Sequence, residues 1–133
     1  MKGFLYTDGG ARGNPGPSGF AAVLFDENKL IDFNGKFLSL ATNNIAEYNG
    51  LVLGLKLAIK NNIKELTCLL DSELIVKQVN GEYKIKNTDL QKLKIKVDEL
   101  IKDFTNITFK HIPREENKLA DKIVNLILDT KLN

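Results

Sequence analysis

Tryptophan is absent from this 133-residue chain, and cysteine and histidine occur once each. A single cysteine excludes an internal disulfide framework and a thiolate metal centre. Cys68 stands in the apolar run Leu66-Thr67-Cys68-Leu69-Leu70, where a free thiol packs as a small hydrophobe. Long apolar runs are missing as well. Leu51 to Ile59 is interrupted by Gly54 and Lys56 and falls far short of the roughly 20 residues that span a bilayer. No secretory pattern precedes the strand-like sequence that follows Met1-Lys2, so a cytoplasmic protein without a membrane segment is expected. Repeats, linkers and low-complexity tracts are lacking too, and the length suits one domain covering residues 1–133. The net charge is only +2, which names no partner by itself, because nucleic-acid binders show clustered rather than total charge. What is present, 43% apolar and 27% charged residues, has the balance of a soluble globular protein.

Periodicity outlines the elements. Phe4, Tyr6 and Asp8 alternate with Leu5 and Thr7, which predicts a strand ending where Gly9-Gly10 begins a loop rich in glycine and proline. Gly19 to Asp26 and Leu30 to Leu38, joined by Glu27-Asn28-Lys29, complete an antiparallel meander. From Ile45 the period becomes helical, with Tyr48, Leu51, Val52, Leu55, Ala58 and Ile59 on one side, Thr42, Asn43 and Asn44 as possible caps and an end near Asn61-Asn62. Glu65 to Leu70 reads as a buried strand, and Asp71-Ser72 begins a helix that Gly81 stops. Thr88-Asp89-Leu90-Gln91 fits a capping box, followed by an apolar helical stripe from Leu90 to Phe104. Ile107 to His111 is a fifth strand, and a last helix opens near Asn117, with Ala120, Ile123, Val124, Ile127 and Leu128 toward the core. This order predicts an α/β fold: a five-stranded mixed sheet, its first three strands antiparallel, flanked by about four helices.

Of 17 acidic residues, most must be solvated, but Asp8 and Asp71 each close an apolar strand. Ligand sites in open α/β sheets gather at the carboxyl ends of strands, so two acids there share a site if their strands are neighbours. Glu47 and Asp121, near the starts of the first and last helices, are further candidates. Each has an ordinary explanation: Glu47 as the reciprocal glutamate of an Asn44 cap, Asp121 as a favourable first-turn charge, Asp8 and Asp71 as turn or cap aspartates. Four converging carboxylates would need cations between them, and with no cysteine ligand and one histidine those cations would be Mg²⁺ or Mn²⁺ rather than zinc.

Four segments in order, Tyr6-Thr7-Asp8-Gly9-Gly10-Ala11-Arg12-Gly13-Asn14-Pro15-Gly16-Pro17-Ser18-Gly19, Thr42-Asn43-Asn44-Ile45-Ala46-Glu47-Tyr48, Leu70-Asp71-Ser72 and His111-Ile112-Pro113-Arg114-Glu115-Glu116-Asn117-Lys118-Leu119-Ala120-Asp121, resemble the motifs of type 1 ribonuclease H. The resemblance covers nearly the whole chain and implies the ribonuclease H-like fold. It also implies an endoribonuclease that hydrolyses the RNA strand of RNA·DNA hybrids and leaves 5′-phosphate and 3′-hydroxyl ends. Asp8, Glu47, Asp71 and Asp121 would hold two Mg²⁺ ions, with Mn²⁺ as a substitute and Asp8 bridging the pair. Metals about 3.5–4 Å apart activate water on one side and stabilise the leaving oxygen on the other. His111 matches a histidine tied to product release, and Arg114 in the same loop is a substitute for it. Asn14, Asn43 and Asn44 would lie beside the RNA strand, where the 2′-hydroxyl identifies RNA; without the resemblance, turn formation or capping explains them equally. Thr42 and Asn87 match a pocket for a DNA-strand phosphate, from which an arginine is missing because Leu40 stands there.

Between Gly81 and Thr88 there is only Glu82-Tyr83-Lys84-Ile85-Lys86-Asn87, where many relatives carry a basic, tryptophan-rich handle. Lys84 and Lys86 remain as phosphate contacts, and the expectation is a short monomeric enzyme of modest, salt-sensitive affinity. Three alternatives stand beside the main one. They are a nuclease of the same fold acting also or mainly on double-stranded RNA, a non-catalytic hybrid-binding module that needs only the asparagines and lysines, and a strand-transferring recombinase.

Overall fold

The computed structural model describes residues 2–132. Its strands are β1 (Lys2–Ala11), β2 (Gly16–Asp26), β3 (Lys29–Ala41), β4 (Glu65–Leu70) and β5 (Asn106–His111), and its helices are α1 (Asn43–Lys60), α2 (Glu73–Val79), α3 (Thr88–Ile101) and α4 (Lys118–Lys131). They form one sheet in the order β3-β2-β1-β4-β5. β1 pairs antiparallel with β2 and parallel with β4, and β5 continues parallel to β4. The mixed sheet with an antiparallel first half is therefore as the sequence predicts. Among the described residues no helix is long and apolar enough to cross a membrane.

Alternation along the strands sorts side chains to two faces. Leu5, Ala22, Leu24, Leu66, Cys68 and Leu70 point to one face, where they pack with Tyr48, Leu51 and Leu55 of α1, Ile75 of α2 and Leu90 and Val97 of α3. A side chain such as Leu5, with no exposed surface, contributes about 1.5–3 kcal/mol through burial alone. On the other face α4 lays Val124 and Leu128 over Ala21. The sheet is thus fixed from both sides by helices, and its central strand is β1.

Some boundaries differ from expectation, for physical reasons. β1 does not stop at Asp8. It continues to Ala11 because β2 still pairs with it, Gly10 opposite Gly19 and Ala11 opposite Ser18. What stops near Asp8 is the pairing with β4, whose last partners are Thr7 and Leu70. The capping box expected at Thr88 is also displaced: Asn87 is the N-cap and accepts the Leu90 N–H at 3.0 Å, while Gln91 Nε2 donates to the Ile85 carbonyl at 2.8 Å. Asparagine ranks at least with threonine as an N-cap, and here it lies one residue earlier. Phe104 falls beyond the end of α3, yet still packs against the main core.

Candidate active site

Register brings the first two acids together. Thr7 and Leu70 are the last partners of the parallel pair, so the next residues, Asp8 and Asp71, emerge side by side where β1 runs on without β4. Close packing of α1 supplies the third. A Cβ on Gly9 would lie 2.3 Å from the Ala46 carbonyl carbon, and one on Gly50 would lie 2.6 Å from the Asp8 carbonyl oxygen. Only hydrogen fits at either place, so the first turns of α1 rest directly on β1. Glu47 consequently reaches the strand, where its Oε1 accepts the Gly9 N–H at 3.1 Å.

Carboxylate oxygens of Asp8, Glu47 and Asp71 all lie within 4.8 Å of one another. Asp8 and Glu47 are each only 7% exposed, and the second oxygen of Glu47, Oε2, is buried without a donor in the protein. Two like charges so close in a poorly solvated place cannot both persist. Burial first, with the charges of Asp71 and Asp121 adding to it and hydrogen bonding to Glu47 and Gly9 opposing it, raises the Asp8 pKa from 3.8 to about 6. Burial also holds Glu47 well above the ordinary carboxylate range, reinforced by its hydrogen bond to Asp8 and by the charges of Asp8 and Asp71. The cluster must take up either a shared proton or a cation. Clustered carboxylate oxygens, one lacking any donor, suit a hard divalent cation.

Asp121 lines the same cavity of about 460 Å³, together with Gly10, Asn43, Asn44, Ser72, Arg114 and Asn125. Its oxygens lie outside the tight group of three, on the wall formed by α4. A larger cavity of about 640 Å³ is lined by Phe4, Tyr6, Phe25 and Leu119 and contains none of the four acids, so volume alone does not locate the chemistry. The capping explanations for Glu47 and Asp71 do not hold. Thr42, not Asn44, caps α1, accepting the Ile45 N–H at 3.2 Å, and Ser72, not Asp71, caps α2.

The other residues singled out divide into those at the cavity and those away from it. Asn43 and Asn44 line it. Asn43 Oδ1 accepts the Ala11 N–H at 2.8 Å, and Asn14 Oδ1 accepts the Asn43 N–H at 3.0 Å. These two bonds tie the turn after β1 to the start of α1 and leave both amide NH2 groups as donors. Arg114 reaches the cavity wall, whereas His111 ends β5 opposite Leu70, is exposed, and is not among the lining residues. Thr42 and Asn87 sit at helix starts as caps. Gly81 to Asn87 joins α2 to α3 with no helix of its own. One residue at the site and the role of another are not apparent from the sequence. Asn125 lies one turn beyond Asp121 and donates from Nδ2 to its carbonyl at 3.0 Å, a relation that i, i+4 spacing could have revealed. Asn117 is buried against Asp71, which no local pattern announces.

Residues 6–127 match the family model described as reverse transcriptase-like. The chain is 40% identical over 131 residues to the bifunctional protein Rv2228c of Mycobacterium tuberculosis, a match covering 97% of this chain and 36% of that protein. It thus spans little more than a third of the length of its mycobacterial relatives. Among solved structures, the N-terminal RNase H domain of Rv2228c, studied as a fusion with maltose-binding protein, superposes with a TM-score of 0.95 at 39% identity, covering 98% of this chain and 95% of that one. LC11-RNase H1, solved in complex with an RNA/DNA hybrid, gives a TM-score of 0.92 at 37% identity, covering 98% and 99%.

Proposed function

Because the chain belongs to the ribonuclease H family, we propose that it is a metal-dependent endoribonuclease that hydrolyses the RNA strand of RNA·DNA hybrids and leaves 5′-phosphate and 3′-hydroxyl ends. The observation that carries this reading is the group of carboxylate oxygens from Asp8, Glu47 and Asp71 within 4.8 Å of one another. LC11-RNase H1, similar over 98% of this chain, binds such a hybrid.

In this reading Asp8, Glu47, Asp71 and Asp121 hold divalent cations, two Mg²⁺ with Mn²⁺ as a substitute. When bound, the cations supply a water nucleophile at neutral pH and charge stabilisation for the leaving oxygen. The protein's own groups do the rest. Asp8 lies within β1 where its pairing with β4 ends, and Asp71 directly follows β4, both fixed by the parallel register, so the site is preorganised on rigid elements. The free NH2 groups of Asn14 and Asn43, with Asn44 at the cavity wall, donate to the RNA strand and its 2′-hydroxyls. Thr42 and Asn87 contribute to a phosphate contact on the DNA strand, with Lys84 and Lys86, both exposed, adding positive charge on that side. Arg114, on the cavity wall, neutralises the phosphate as product departs, and His111 acts from further out. We also take the chain as one catalytic domain acting as a monomer in the cytoplasm.

The test is cleavage of a uniformly labelled RNA·DNA hybrid with and without Mg²⁺, comparing the unaltered protein with Asp8→Asn and running double-stranded RNA in parallel. The expected result is metal-dependent cutting of the RNA strand that Asp8→Asn abolishes. Well-folded protein that cuts nothing with either Mg²⁺ or Mn²⁺ would refute the reading and favour a binding module. Faster cutting of double-stranded RNA would replace the substrate.

A further inference from the structure

Asn117 does not do what its place in the chain predicts. It is the N-cap residue of α4, yet its side chain makes no capping hydrogen bond, although asparagine is among the best residues for that task. The side chain turns inward and is 1% exposed. Its Nδ2 donates to the Thr7 carbonyl at 2.8 Å and to Asp71 Oδ2 at 2.9 Å. Its backbone carbonyl accepts the Asp121 N–H at 3.2 Å. The remaining oxygen, Oδ1, is buried without a donor, a cost tolerated only where the other bonds require this residue.

One residue therefore touches the strand next to Asp8, the carboxylate of Asp71 and the main chain of Asp121. Asp71 needs such a partner. Its oxygens lie within 4.8 Å of those of Asp8 and Glu47, and like-charge repulsion would swing a free side chain toward solvent. A buried amide donor, held rigid by its second bond to a sheet carbonyl, opposes that swing.

We propose that Asn117 is a positioning residue for the carboxylate site, holding Asp71 beside Asp8 and locking the first turn of α4, with Asp121, to β1. The inference rests on the reading of that site as a divalent-cation centre. Groups that orient ligands in this way commonly change cation affinity or activity by about 10–100-fold when removed.

The experiment uses the full chain with Asn117→Ala, and Asn117→Leu, which keeps nearly the same shape without a donor if the alanine variant does not fold. Mg²⁺ binding is measured by calorimetry without nucleic acid, and hybrid cleavage is followed over a range of Mg²⁺ and substrate concentrations. The expected result is about 10–100-fold weaker Mg²⁺ binding, lower kcat with unchanged KM for the hybrid, and recovery of rate at high Mg²⁺. A folded variant with a reduced melting temperature but an unchanged Mg²⁺ titration would overturn the proposal, because support of the fold alone would then explain the residue. Failure of the unaltered chain itself to bind Mg²⁺ would overturn the cation-site reading and this inference together, an outcome distinct from the first.

Discussion

Replacing Asp8 by asparagine should abolish cleavage and yet stabilise the metal-free protein at neutral pH. The Asp8 carboxyl, buried beside Glu47, has its pKa raised from 3.8 to about 6. In the folded state it therefore keeps a proton over a range where the unfolded chain has already lost it. A raised carboxyl pKa favours the fold at low pH, and that contribution disappears as pH rises from about 4 through about 6. The difference from 3.8 to about 6 corresponds to roughly 3 kcal/mol at about 1.4 kcal/mol for each tenfold change in proton affinity. For a domain of this size that is on the order of 10 °C in melting temperature. Asparagine is neutral throughout, so the variant should escape the loss. The assay is thermal unfolding of both proteins between pH 4 and 8, with a chelator and again with excess Mg²⁺. In chelator, the melting temperature of Asp8→Asn relative to the unaltered protein should climb by roughly 5–10 °C across that range. Mg²⁺ should close the gap by stabilising the unaltered protein, since a ligand that binds only the folded state raises its stability. A difference that does not change with pH would refute the reasoning, because burial of the Asp8 carboxyl beside its acidic neighbours would then not govern stability over this range.

Three further outcomes follow from particular contacts. Gly9→Ala places a methyl group 2.3 Å from the Ala46 backbone, so α1 must lift from β1; we expect a loss of about 1–3 kcal/mol or more in urea unfolding, with Glu47 drawn away from Asp8 and cleavage reduced further than the melting temperature suggests. Tyr48→Phe leaves Gln78 Oε1 without the O–H donor now 2.8 Å away in the core, and should cost about 1–3 kcal/mol in the same measurement without altering the Mg²⁺ dependence of cleavage. Arg114→Ala should slow steady-state turnover by about 10–100-fold, the loss of one charge-assisted hydrogen bond, and His111→Ala should slow it less. Equal effects, or a larger one at His111, would show that lining the cavity in the free protein does not decide which group serves the departing phosphate.

Much was legible from local pattern. Strand alternation in Phe4 to Asp8 and helical spacing from Tyr48 to Ile59 reflect burial on one side of an element, which repeats at fixed intervals and so leaves a trace in sequence. The strands that lead to Asp8 and Asp71 are visible for that reason, and the ordered motifs lead to Glu47 and Asp121. Cap positions were less legible: at Thr42-Asn43-Asn44 and at Asn87-Thr88 several residues can cap, and neighbouring contacts select one. The end of β1 was misplaced because Gly9 and Gly10, weak strand formers in isolation, are held in the sheet by β2.

Composition and near-neighbour spacing are enough to set the order of elements, the residue types available for chemistry and the exclusion of thiolate ligands. It takes the packed chain to bring Asp8 and Asp71 side by side, to lay Glu47 over them with one oxygen unpartnered, to put Arg114 rather than His111 at the cavity wall, and to turn the Asn117 side chain from its cap toward Asp71. Those facts join residues separated by tens of positions, 46 between Asn117 and Asp71 and 110 between Asn117 and Thr7. Strand register and helix packing set such distances, and neither is encoded in any single stretch of chain.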